Sequence, residues 1–130
     1  MTVLHSISGV VVSHRGRGRQ LGIPTINVAA PANVPDGIYA GVVFWNTFRF
    51  PAAVFVGAAV TFGETERQVE AYLLDTPQAQ TVDNWGEVRL ELTHFIRPNQ
   101  KFPDADTLRR QMDQDIIQIR QCLQESSKNN

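Results

Sequence analysis

The sequence predicts a mainly β domain: a small Greek-key barrel of five or six short antiparallel strands with one C-terminal α-helix. Three observations carry that expectation. The first two-thirds of the 130 residues is rich in Val, Ile, Phe and Tyr, in short runs separated by Gly, Pro, Asn and Asp. This is the pattern of strands joined by turns. Residues 87–96 alternate cleanly, with Val88, Leu90, Leu92 and Ile96 on one side and Arg89, Glu91 and Thr93 on the other. Such a strand buries one face and wets the other, as in an antiparallel sheet. Over 104–125 the period changes: Leu108, Met112, Ile116, Ile119 and Leu123 recur at spacings of three and four, a helical stripe.

Strands are expected at 6–13, 38–45, 52–58, 69–74 and 88–96. A short extended piece at 25–29, following Pro24, makes a sixth. Pro103 and Asp104 supply the helix start, with Asp104 or Asp106 as N-cap. The apolar stripe of the helix reads as core, closing one side or end of the sheet. One domain is expected over residues 1–125, followed by a polar tail at 126–130.

Bulk composition narrows the function classes. An apolar fraction of 42% with 19% charged residues is ordinary for a soluble domain. The net charge of −1 gives no general attraction to nucleic acid or to an anionic membrane. The single cysteine, Cys122, excludes an internal disulfide and a multi-cysteine metal site, and suits a reducing compartment. The N-terminus lacks the organisation of a signal peptide, and no run approaches the roughly 18–20 apolar residues of a membrane span. A cytoplasmic, soluble monomer is expected, with no membrane partner.

The most unusual segment is GRGRQLGIPTIN, residues 16–27. It is not a Walker loop, since the chain has no Gly-Lys pair. Nor is it a Rossmann fingerprint, because the glycines at 16, 18 and 22 lead into strand-forming residues instead of a helix. Glycines do allow successive N–H groups to converge on an anion, and Arg15, Arg17 and Arg19 add charge. The competing reading is a solvated hairpin loop. Thr25 and Asn27, two apart on the expected strand, share a face. Their hydroxyl and amide oxygens are hard donors suited to Mg²⁺ when substrate phosphates complete the shell. On spacing alone the favoured reading is that they cap turns or bond to backbone.

GRGRQLGIPTIN resembles the glycine-rich segment of the riboflavin kinase family, whose hallmark ends in Pro-Thr-x-Asn. Further matches follow in order: Pro35-Asp36-Gly37-Ile38-Tyr39-Ala40, Val69-Glu70-Ala71-Tyr72-Leu73-Leu74-Asp75, Trp85-Gly86, and Ile96-Arg97-Pro98 with Lys101-Phe102. The resemblance runs from about residue 6 to 123 and implies a six-stranded antiparallel barrel with a C-terminal helix. It implies transfer of the γ-phosphoryl group of ATP to the 5′-hydroxyl of riboflavin, giving FMN and ADP. By the same resemblance, Thr25 and Asn27 hold Mg²⁺ with the nucleotide phosphates, which Gly16, Gly18 and Arg19 cover. Glu70 is the catalytic carboxylate, and Arg97 lies on the flavin side. With nothing before residue 6 to match the adenylyltransferase module of many bacterial members, a stand-alone kinase module is expected.

The chain departs from the family pattern at His14, where glycine is usual, at Phe55 and Val60, where Asn and Pro are common, and at Asn99, which replaces an acidic residue. Ile23 and Ile26 are milder apolar replacements. These departures prompt an alternative, a non-catalytic module that binds flavin or nucleotide. A barrel binding single-stranded nucleic acid through Arg15, Arg17 and Arg19 is opposed by the net charge, so no nucleic-acid partner is expected. Loops 62–67 and 78–85, polar and turn-rich, are candidates to close over substrates.

Overall fold

A computed structural model describes residues 2–12, 23–58, 63, 65–76, 79, 82 and 84–128. Six strands and one helix follow in order: β1 (His5–Val10), β2 (Thr25–Ala29), β3 (Gly37–Trp45), β4 (Phe48–Gly57), β5 (Gln68–Leu73), β6 (Glu87–Arg97) and α1 (Ala105–Lys128). They form one antiparallel sheet in the order β1-β6-β3-β4-β5-β2. Strands β3, β4 and β5 make a meander and β6 returns beside β3, which is Greek-key connectivity. The sheet curls into a partly open barrel. Its edges meet where the Val12 N–H donates to the Asn27 carbonyl at 2.9 Å.

Period-two alternation sorts the strands onto two faces. The inner face carries Ile7, Ile26, Val28, Val43, Val54, Val56, Val69, Ala71, Leu73, Leu90 and Leu92, all buried. Each such aliphatic side chain contributes about 1.5–3 kcal/mol on burial. Aromatic rings close the barrel at the β3–β4 hairpin, where Trp45 Nε1 donates to the Trp85 carbonyl at 2.6 Å and Trp85 meets Phe50 edge-on.

The outer face is covered by α1. Ile116 and Ile119, with Met112, Cys122 and Leu123 beside them, pack on Ile38, Ala40, Ala53, Tyr72 and Leu74. The expected stripe is therefore core, lying against the side of the sheet. Asp104 is the N-cap: Thr107 N–H donates to its Oδ1 at 2.7 Å, and this bond holds the carboxyl below its ordinary range. Among the described residues, two ion pairs fasten the helix to the sheet, Arg97–Asp115 from the end of β6 and Arg120–Asp75 beyond β5. No described helix is long and apolar enough to cross a membrane.

The structure corrects the expected elements in three places. β1 ends at Val10, and Ser13 lies outside the described residues. β4 begins at Phe48, four residues earlier than expected, and runs through Pro51, whose missing N–H disguised the strand. A tight turn, with Asn46 at φ 53°, joins it to β3. Finally, β6 does not keep one phase. Register shifts against β3 fall between Ile38 and Tyr39 and between Ala40 and Gly41. Ile96 thus packs with the helix cluster, on the opposite face from Leu90 and Leu92.

Candidate active site

β2 and β5 pair at the edge of the face that α1 covers. Their register sets Thr25 opposite Tyr72 and Asn27 opposite Glu70. Directly opposed residues point to one side of a sheet, so these four side chains form a polar square. Their strand neighbours Ile26, Val28, Val69, Ala71 and Leu73 point inward. Alternation alone separates the polar set from the core.

All four are buried: Thr25 is 4% exposed, Asn27 7%, Glu70 5% and Tyr72 5%. Buried polar groups need partners, and the square supplies them for Glu70, Tyr72 and Asn27. The Tyr72 hydroxyl donates to Glu70 Oε1 at 2.8 Å. With its amide nitrogen turned toward β5, Asn27 donates to Glu70 Oε2 at 3.3 Å and to the Ile26 carbonyl at 3.2 Å. Both carboxylate oxygens are thereby held by donors, and the amide oxygen of Asn27 faces away from Glu70. On the other flank of Glu70 stands Phe55 of β4, half-buried and apolar.

The structure thus brings Thr25, Asn27 and Glu70 together. It does not bring Arg97 to them. Across the sheet run Arg97, Ile38, Phe55, Glu70 and Asn27 in register. Arg97 stands three strands from Glu70, about 15 Å along the sheet at the usual spacing. Its guanidinium grips Asp115 through Nε at 2.9 and 3.1 Å and Nη2 at 2.8 Å. Gln111 completes the shell of that carboxylate at 3.0 Å. Asn99, where the family pattern has an acid, donates to the Val56 carbonyl at 2.9 Å.

Gly16, Gly18 and Arg19, with His14, Arg15, Arg17 and Val60, lie outside the described residues, as do parts of loops 62–67 and 78–85. Tyr72 is an addition to the expected site. Its signal in the sequence is the two-residue spacing from Glu70, which on a strand means a shared face. Burial pushes the Cys122 thiol above its ordinary range, which suits a packing residue and not a nucleophile.

Among the described residues no group of three His, Cys, Asp or Glu side chains is placed to hold a metal. The donors present, a hydroxyl and a neutral amide oxygen, fit a hard cation that takes most of its ligands from phosphate and water. They do not fit a nitrogen- or sulfur-bound metal.

A family model described as riboflavin kinase matches residues 1–123. The RNA-binding riboflavin kinase RibR of Bacillus subtilis is 32% identical over 114 residues, covering 85% of this chain and 47% of the relative. The bifunctional riboflavin kinase/FMN adenylyltransferase of Escherichia coli K12 is 31% identical over 120 residues, covering 89% and 37%. The chain therefore spans less than half the length of these curated relatives. The crystal structure of riboflavin kinase from Trypanosoma brucei superposes with a TM-score of 0.60 at 22% identity, over 92% of this chain and 79% of that one. Its likeness is one of fold, a barrel with a C-terminal helix, and the family match extends from the first residue almost to the end of α1. On that match the chain belongs to the riboflavin kinase family.

Proposed function

We propose that the chain transfers the γ-phosphoryl group of ATP to the 5′-hydroxyl of riboflavin, giving FMN and ADP. The observation that carries this reading is the buried Glu70 carboxylate, held by Tyr72 and Asn27 beside the hydroxyl of Thr25. An alcohol that attacks phosphorus must lose its proton, and a positioned carboxylate is a suitable acceptor. Glu70 takes the proton of the 5′-hydroxyl as the ribityl oxygen bonds to the γ-phosphorus. The bond from that phosphorus to the β–γ bridging oxygen breaks, and ADP leaves.

Thr25 and the amide oxygen of Asn27 are the groups that would hold Mg²⁺, which when bound neutralises phosphate charge. The family resemblance assigns Gly16, Gly18 and Arg19, which precede Thr25 in sequence, to covering the phosphates. By the family resemblance the flavin lies on the Arg97 side of the site.

The test is incubation with riboflavin, Mg²⁺ and separate nucleoside triphosphates, reading FMN directly. Glu70→Gln keeps the size of the side chain and removes the base. Turnover should fall by about 10²–10⁴, with riboflavin binding retained. Near wild-type turnover in that variant excludes Glu70 as the base. Riboflavin and Mg-ADP binding by calorimetry, with no FMN formed over hours, would establish a binding module instead.

A further inference from the structure

Tyr72 spans the packing beneath α1 and the polar square. Its ring is buried in the cluster beneath α1, with Ile116, Ile119, Leu74, Ala40 and Ala53. Its hydroxyl lies outside that apolar set and donates to Glu70 Oε1 at 2.8 Å. A ring packed under a helix is fixed in rotamer, and so the position of its hydroxyl is fixed as well. A glutamate has three side-chain torsions, and burial alone does not choose among its rotamers. Among the described residues, Tyr72 on the same strand and the Asn27 amide on the paired strand both restrict that choice.

We infer that Tyr72 is a positioning residue for Glu70, through which the packing of α1 on the sheet sets the direction of the carboxylate. The inference rests on the reading of Glu70 as the base. It adds a role for the helix: α1 contributes no side chain to the polar square, yet it immobilises the residue that aims the square's only carboxylate. A base must sit within hydrogen-bond reach of the proton it takes. A carboxylate that swings among rotamers meets that condition only part of the time.

The test variant is Tyr72→Phe, which keeps the buried ring and deletes the donor. FMN formation should show kcat lowered about tenfold, the scale of one hydrogen bond to a charged group. KM for riboflavin and for ATP should stay within about twofold, because the site walls are unchanged. A ring that serves packing alone leaves kcat within about twofold in this variant, and that result overturns the inference. A loss appearing wholly in KM overturns it too.

A second readout does not need turnover. The Tyr72 hydroxyl proton, bonded to a buried carboxylate, should give a downfield proton resonance, absent in Tyr72→Phe and lost in Glu70→Ala. If no such resonance exists in the wild-type protein, the hold on Glu70 is refuted. If the resonance behaves as expected and the wild-type protein forms no FMN from any nucleotide, the reaction reading fails and the Tyr72 hold stands.

Discussion

At the scale of single residues, Arg97 illustrates how one side chain can be read for chemistry and for structure. Its guanidinium is 17% exposed and its partner Asp115 6% exposed, so the pair is largely withdrawn from water. Removing one partner of such a pair strands the other charge. Arg97→Met should therefore destabilise the fold by about 2–4 kcal/mol, somewhat less than a fully buried pair because the arginine keeps some solvent. Asp115→Asn should lower the urea midpoint as well. The flavin assignment makes a separate demand: only Arg97→Met should also weaken riboflavin binding, measured by calorimetry on the folded fraction. Equal riboflavin affinity in both variants would leave Arg97 as a strap between β6 and α1 and nothing more. The identity of its partner could not be read from the sequence. Asp115 is one of several acids on the helix, and only the placement of α1 across the sheet selects it.

At the scale of elements, the strands were legible and their irregularities were not. Runs rich in Val, Ile, Phe and Tyr between turn residues marked β3 and β5, period-two alternation supported β6, each to within a residue at either end, and the three-and-four spacing marked α1. Three corners of the polar square, Thr25, Asn27 and Glu70, stand out of phase with apolar neighbours, but it was the family resemblance that singled them out, and Tyr72 was not among them. The shifts in β6 leave no comparable mark, because Thr93 and Ile96 are ordinary strand residues and the extra length is visible only against β3. Gly41 of β3 marks the close approach beside the second shift. A Cβ built there would lie 2.6 Å from the Glu91 carbonyl oxygen and 3.3 Å from Leu92 Cδ2. The first of these is backbone and cannot swing aside. Gly41→Ala must push β3 from β6 next to the shift at Thr93, at a cost of about 1–3 kcal/mol as for other overpacked cores. Denaturant unfolding reads that loss. FMN formation per folded molecule should be retained, since the displaced contact is between β3 and β6 and the site is between β2 and β5.

At the scale of the whole molecule, the site and the closure of the barrel share a residue. The side chain of Asn27 faces Glu70, while its carbonyl accepts the Val12 N–H that joins the two edges of the sheet. Ordering of β2 by a ligand therefore also orders the seam. The proposed metal donors are a neutral hydroxyl and a neutral amide oxygen, too weak together to hold Mg²⁺ without phosphate oxygens. Mg²⁺ alone and ADP alone should accordingly shift thermal stability little, and the two together should shift it strongly. A ligand at a hundred times its dissociation constant stabilises by about 2.7 kcal/mol, roughly 8–13 °C for a domain of this size. Chelation by EDTA should reverse the effect, and Thr25→Val should raise the Mg²⁺ concentration at which it appears. Hydrogen exchange locates it: the Val12 amide should gain protection when Mg-ADP binds, although it lies on the opposite side of the seam from the donors. A stabilising effect of ADP that is indifferent to Mg²⁺ would remove Thr25 and Asn27 from the metal site. Unchanged exchange at Val12 in the presence of a full thermal shift would show that binding energy reaches the fold through β5 alone.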